Sequence, residues 1–106
     1  IDEGVRRAAY RIIEGKGATW FGIGAGIARM AKAIVHDENA LMTCSTPTRG
    51  LLGTEQAICL SYPRVINRQG VVRTLVPEMN ETELALLQKS AEILARAASD
   101  IGVLDV

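Results

Sequence analysis

Aromatic residues are scarce in this 106-residue chain, where one Trp, two Tyr and one Phe make up 4% of the sequence. Its core therefore has to be built from Leu, Ile, Val, Ala and Met. An excess of charge of one sign is also missing. Twelve basic and twelve acidic side chains leave a formal net charge of zero, which argues against the basic face of a nucleic-acid binder and against a polyacidic tail. Long hydrophobic runs are absent as well: Arg29, Lys32 and His36 interrupt the longest candidate before it reaches the ~20 residues of a membrane span. Neither nucleic acid nor membrane is an expected partner. Cysteine is limited to Cys44 and Cys59, which form no Cys-x-x-Cys clip and no metal-ligand spacing, so two free thiols of a reducing cytosol and no metal site are expected. The opening Ile1-Asp2-Glu3 has no initiator Met and lacks the basic-then-apolar order of a signal peptide, so the chain is expected to be cut from something longer.

What remains is a composition of 48% hydrophobic and 23% charged residues, ordinary for one globular domain or part of one. Val5, Ala8, Ala9, Ile12 and Ile13 recur at helical spacing, with Asp2 and Glu3 suited to a helix N-terminus, and predict a helix over about 3–14. Gly15-Lys16-Gly17 then breaks the pattern. A second stripe, Trp20, Ile23, Ile27, Met30 and Ile34, predicts a long amphipathic helix to about His36. Beside it, Ala18, Gly22 and Gly26 form a flat ridge suited to close approach of another helix. From Ala40 the texture turns to β-type runs at 40–46, 56–62 and 71–76, separated by Pro47, Gly50 and Gly53 and by a tight turn at Asn67-Arg68-Gln69-Gly70. Asn80 and Glu83 suit a capping box, and Leu84, Leu87, Ala91, Leu94 and Ala98 mark a last helix ending near Gly102. The fold class is α+β, with two N-terminal helices, a three-stranded antiparallel meander and a C-terminal helix.

Chemistry-bearing motifs are few. Gly22-Ile23-Gly24-Ala25-Gly26 invites comparison with a phosphate-cradling loop, but the third glycine of G-x-G-x-x-G would fall on Ile27 and no strand pattern precedes it, which favours helix packing. His36-Asp37-Glu38 reads as a polar helix end, because adjacent residues point in different directions. Pairing His36 with Cys44 or Ser45 in a nucleophilic system would need a spatial adjacency that sequence does not supply. Thr19, beside Trp20 and Phe21, reads as a capping or packing residue on its own terms.

The whole chain nevertheless resembles one family in order. Val5-Arg6-Arg7-Ala8-Ala9-Tyr10-Arg11-Ile12-Ile13-Glu14-Gly15-Lys16-Gly17-Ala18-Thr19-Trp20-Phe21-Gly22-Ile23 is similar to the C-terminal domain of bacterial L-lactate dehydrogenases. So are Ala28-Arg29-Met30, Lys32-Ala33-Ile34 and Asp37-Glu38-Asn39-Ala40. The resemblance continues through Leu60-Ser61-Tyr62-Pro63-Arg64-Val65-Ile66-Asn67-Arg68, Gly70-Val71 and Gln88-Lys89-Ser90-Ala91. Departures fall at Trp20, usually Tyr, and across 45–55, where Thr46-Pro47-Thr48-Arg49 replaces a more typical hairpin.

The resemblance implies that residues 1–106 are the C-terminal part of the substrate-binding domain. The Rossmann domain, the substrate-closing loop, the carboxylate-gripping Arg and the catalytic His would all lie upstream, so no catalytic residue is expected here and His36 takes no such role. It further implies NAD as cofactor, a small 2-oxo or 2-hydroxy acid as substrate, a cytoplasmic homo-oligomer, most simply a tetramer, and a place in glycolysis and fermentation. Three positions carry over: Thr19 flanking the substrate's variable group, Ala9 lining the same pocket, and Ile23 against the nicotinamide ring. Alternatives are a malate or 2-hydroxyisocaproate dehydrogenase, whose deciding loop lies elsewhere, or a free-standing oligomerisation module.

Overall fold

In a computed structural model, residues 2–17, 20–53 and 55–102 are described. Helices α1 (Asp2–Lys16) and α2 (Trp20–Val35) precede the strands β1 (Ala40–Thr48), β2 (Ile58–Asn67) and β3 (Gly70–Thr74), and helix α3 (Glu81–Asp100) closes the order. The strands form one antiparallel sheet in sequence order, with a single 3-10 turn at Leu51–Gly53 between β1 and β2. This is the α+β arrangement of two helices, a meander and a last helix that the hydrophobic periodicities predict.

Local chemistry explains the boundaries. Helix α1 runs through Gly15 and Lys16, two residues past the expected end, and stops where Gly17 takes φ 79° and its N–H donates to Ile13 O at 2.7 Å. Only glycine adopts that left-handed position freely at a helix end. Helix α3 begins on the expected capping box: Asn80 Oδ1 accepts from Glu83 N–H at 2.8 Å while Glu83 Oε2 accepts from Asn80 N–H at 3.0 Å.

The middle strand departs most from expectation. It begins at Ile58 rather than Gln56 and does not end at Tyr62 but continues through Pro63 to Asn67. A proline in a central strand normally costs a ladder bond. Here the Pro63 carbonyl accepts from Leu75 N–H at 2.9 Å, just past the end of β3. The missing donor therefore faces the side where the β3 ladder has already run out, and pairing with β1 at Thr43 is kept. Strand β1 extends two residues past the expected end, through Pro47, which stands on an edge strand where proline is tolerated. Strand β3 covers Gly70–Thr74 instead of 71–76, with a bulge in its pairing between Val65 and Ile66. The turn between β2 and β3 tightens to two residues, since Asn67 pairs with Gly70.

The core lies on one face of the sheet. Alternate residues Ile58, Leu60, Tyr62, Arg64 and Ile66 of β2 are buried, and Leu87, Ala91 and Ala95 of α3 pack with Leu52 over the Ile58, Leu60 and Tyr62 end. Complete burial of one such Ile or Leu contributes about 2 kcal/mol. The packing face of α3 is thus rotated toward Ala95 relative to the expected stripe, with Leu84 and Leu94 more exposed.

Arg64 is the surprise in this core, being fully buried. Its guanidinium reaches the backbone carbonyls of Cys44 and Leu60, the latter at 2.8 Å, and the hydroxyls of Thr48 at 3.3 Å and Thr74 at 3.2 Å. It also stands 5.6 Å from the Tyr62 ring centroid. One side chain on β2 thereby bonds all three strands.

Candidate functional site

The three positions singled out by sequence belong to the α1–α2 segment. Thr19 lies outside the described residues, and so does the side chain of Ala9, whose backbone is part of α1. Ile23 is described: it stands in the first half of α2 with 65% of its surface exposed, beside Trp20 at 74% and Ile27 at 62%. Within this chain the second apolar stripe is largely solvent-facing: Trp20, Ile23, Ile27 and Ile34 are exposed, and of its members only Met30 is partly covered, close to the buried Ala33. The first stripe fares likewise, since Val5, Ala8, Ile12 and Ile13 are all exposed.

An exposed β-branched side chain between other apolar groups fits the flat face of a neutral dihydronicotinamide ring, which loses little on leaving water and gains dispersion contact. The phosphate end of a dinucleotide has no matching feature on α2. Gly24 and Gly26 lie past the first turn of the helix, where backbone N–H groups are spent on the i−4 carbonyls, and only Gly22, the third residue of α2, falls among the first-turn donors, so the three glycines do not form a phosphate-cradling loop. Nor is the ridge beside it packed within the chain: no described atom lies within 4 Å of a Cβ placed at Gly22 or Gly26. An open depression of about 300 Å³ is lined by Glu3, Arg6, Arg7 and Tyr10, all on α1, where the Arg7 Nε–Glu3 Oε1 ion pair spans 2.8 Å.

The polar end of α2 separates its three charged or ionisable residues, as expected from their adjacency. His36 is exposed and its backbone N–H closes onto Lys32 O at 2.9 Å. Asp37 Oδ1 accepts from Arg68 N–H at 3.1 Å, and Glu38 Oε2 accepts from Arg29 Nη1 at 3.1 Å. Among the described residues no group of three or more His, Cys, Asp or Glu side chains could hold a metal ion, and no helix is long and apolar enough to cross a membrane. Cys44, half-buried, and Cys59, exposed, are free thiols.

Two features escaped the sequence. Arg64 sits in a strand pattern of alternating burial that its type contradicts, and only its three-strand bonding explains it. The contact between the turn after α2 and the β2–β3 turn joins residues 31 apart in sequence. A faint signal existed in Asp37, Asn39 and Asn67, residue types that tolerate left-handed backbone and bond nearby turns.

Comparison with known proteins places these elements. Residues 1–101 match the model of the lactate/malate dehydrogenase alpha/beta C-terminal domain. An L-lactate dehydrogenase of Thermus aquaticus is 56% identical over 102 residues, covering 96% of this chain and 33% of that protein. One from Deinococcus radiodurans is 45% identical over 103 residues, covering 97% and 32%. Among solved structures, a lactate dehydrogenase from a Medee basin deep-sea metagenome library superposes with a TM-score of 0.83 at 36% identity, covering 92% of this chain and 31% of the other. The chain thus spans about a third of the length of the relatives it matches.

Proposed function

The chain belongs to the lactate/malate dehydrogenase family, as its alpha/beta C-terminal domain, and from that premise we propose that it forms the C-terminal part of the substrate domain of an NAD-dependent L-lactate dehydrogenase. The reaction is the interconversion of pyruvate and L-lactate. What carries this reading is the unbroken match over residues 1–101 together with relatives named L-lactate dehydrogenase at 45–56% identity. Lactate is preferred to malate or 2-hydroxyisocaproate as substrate because those relatives bear its name. A free-standing oligomerisation module has no comparable support.

When bound, the dinucleotide supplies the hydride that reduces the 2-oxo carbon. Ile23 offers the nicotinamide an apolar wall, which favours the neutral reduced ring over its cationic oxidised form. By the family resemblance Ala9 and Thr19 are the two small residues assigned to the wall beside the substrate's variable group, which suits a substrate as small as pyruvate, and Thr19 directly precedes α2 in sequence. The proton donor and the carboxylate clamp are supplied by the rest of the enzyme, which works as a cytoplasmic homo-oligomer, most simply a tetramer, in fermentative glycolysis.

The substrate ranking tests the pocket. In the complete enzyme, Thr19→Gly enlarges the space beside the substrate's variable group, and contacts of one methylene are worth about 1–3 kcal/mol, so catalytic efficiency shifts on the order of 10–200-fold toward branched 2-oxo acids relative to pyruvate. Steady-state rates for pyruvate and 2-oxoisocaproate on both forms measure it. An unchanged ratio with a lowered melting temperature returns Thr19 to a capping role.

A further inference from the structure

Among the described residues, helix α2 is covered at one end only. Its burial is confined to Met30 and Ala33, while residues 20–29, which include Ile23, are all exposed. Beyond Val35 the chain closes the helix with a Schellman motif: Asp37 N–H donates to Ile34 O at 3.2 Å and Glu38 N–H to Ala33 O at 3.0 Å. That motif puts its left-handed residue at position 37, where glycine is the usual occupant. Here Asp37 takes it, with φ 51°, and two residues later Asn39 is left-handed as well, with φ 54°. Glycine would hold both positions with less strain.

Their side chains explain the choice. Asp37 Oδ1 accepts from Arg68 N–H at 3.1 Å, and Asn39 Oδ1 accepts from Asn67 Nδ2 at 2.8 Å. Asn67 Oδ1 in turn accepts from Gln69 N–H at 2.9 Å, which fixes the β2–β3 turn that receives both contacts. The last turn of α2 is therefore clamped to the tip of the β2–β3 hairpin by two side chains that carry left-handed backbone to reach it.

We infer that Asp37 and Asn39 are positioning residues for the cofactor-facing half of α2, setting the tilt of the helix and through it the place of Ile23. The inference rests on the assignment of Ile23 to the nicotinamide. From Ala33 back to Ile23 is ten residues, a lever of about 15 Å at 1.5 Å per residue, so a change of roughly 5° at the clamp moves Ile23 by about 1 Å. Displacements of that size are enough to alter a reacting geometry many-fold.

The experiment uses the complete enzyme carrying Asp37→Gly and Asn39→Gly together. Both substitutions keep the left-handed backbone and remove only the side-chain bonds, so a purely structural role predicts a lowered melting temperature and nothing else. With positioning, the melting temperature stays close to the parent's, amide hydrogen exchange over residues 24–29 accelerates about 10-fold, and the dissociation constant for NADH, measured by fluorescence titration, rises about 10-fold. Asn39→Asp, which keeps an oxygen facing Asn67 Nδ2, retains the parent's values. Unchanged exchange, or faster exchange with unchanged NADH affinity, overturns the inference. Ile23→Asn, titrated in parallel, separates the two ideas: if it lowers NADH affinity while the glycine pair does not, the clamp fails and the assignment of Ile23 stands. If Ile23→Asn leaves NADH affinity unchanged, the assignment itself fails and takes the inference with it.

Discussion

Arg64 shows how much one side chain can decide. A guanidinium cut off from water keeps its desolvation cost unless its donors are spent, and here four of its five bond neutral groups of three strands. Truncation to Ala leaves the Cys44 and Leu60 carbonyls short of a partner and opens a cavity, so Arg64→Ala should cost about 3–5 kcal/mol. Arg64→Met fills most of the volume and carries no charge to desolvate, which limits the loss to roughly 1–3 kcal/mol. Lysine is the poorer replacement despite its charge, because an ammonium is a point donor and cannot fork across strands. Urea unfolding midpoints of the complete protein rank the three variants, and equal losses for Ala and Met would mean that the filled volume matters little and that the lost bonds carry the cost.

Among the elements, α2 is the one whose role the rest of the chain leaves open. Its covered positions are Met30 and Ala33, the rest of its apolar stripe faces solvent, and its Gly22–Gly26 ridge meets nothing within the described residues. Glycine inside a helix costs about 1 kcal/mol relative to Ala, a cost without return unless another backbone comes close. The expected outcome is therefore context-dependent. If the ridge receives a second helix in the complete enzyme, as its small residues predict, Gly22→Leu and Gly26→Leu should each destabilise that enzyme by several kcal/mol through overpacking, or dissociate its subunits. Melting temperature and sedimentation velocity read both effects, and variants indistinguishable from the parent in both would leave the ridge uncovered.

For the molecule as a whole, the apolar surface of α1 and α2 is what a partial enzyme should look like. Val5, Tyr10, Trp20, Phe21, Ile23 and Ile27 are all more than 60% exposed, and large apolar side chains exposed together are the mark of a surface that another part of a protein covers. Hydride transfer needs a dinucleotide site and a proton-transferring group together, and the proposed role assigns both to other parts of the enzyme. The 106 residues on their own should accordingly show no turnover of pyruvate with NADH and should bind an apolar fluorescent dye through α1 and α2. Measurable NADH oxidation by the purified chain would contradict the division of labour proposed here.

The amino-acid sequence by itself determined the element order, the capping box at Asn80 and Glu83, the glycine stop after α1 and the helical nature of the Gly22–Gly26 segment, because each depends on residues within a turn or two of one another. Family membership was also legible, since the residues that carry it run in order along the chain. Tertiary structure alone decided the course of β2 through Pro63, which depends on where β3 ends, and the burial of Arg64, which depends on three strands meeting at one point. It also decided which apolar stripe is core. Periodicity marks a face as apolar without saying what covers it, and here Met30 and Ala33 are covered while Trp20, Ile23 and Ile27 are left to solvent. The clamp from Asp37 and Asn39 to the β2–β3 turn belongs to the same class, because its partners become neighbours only when the meander folds back over 31 residues.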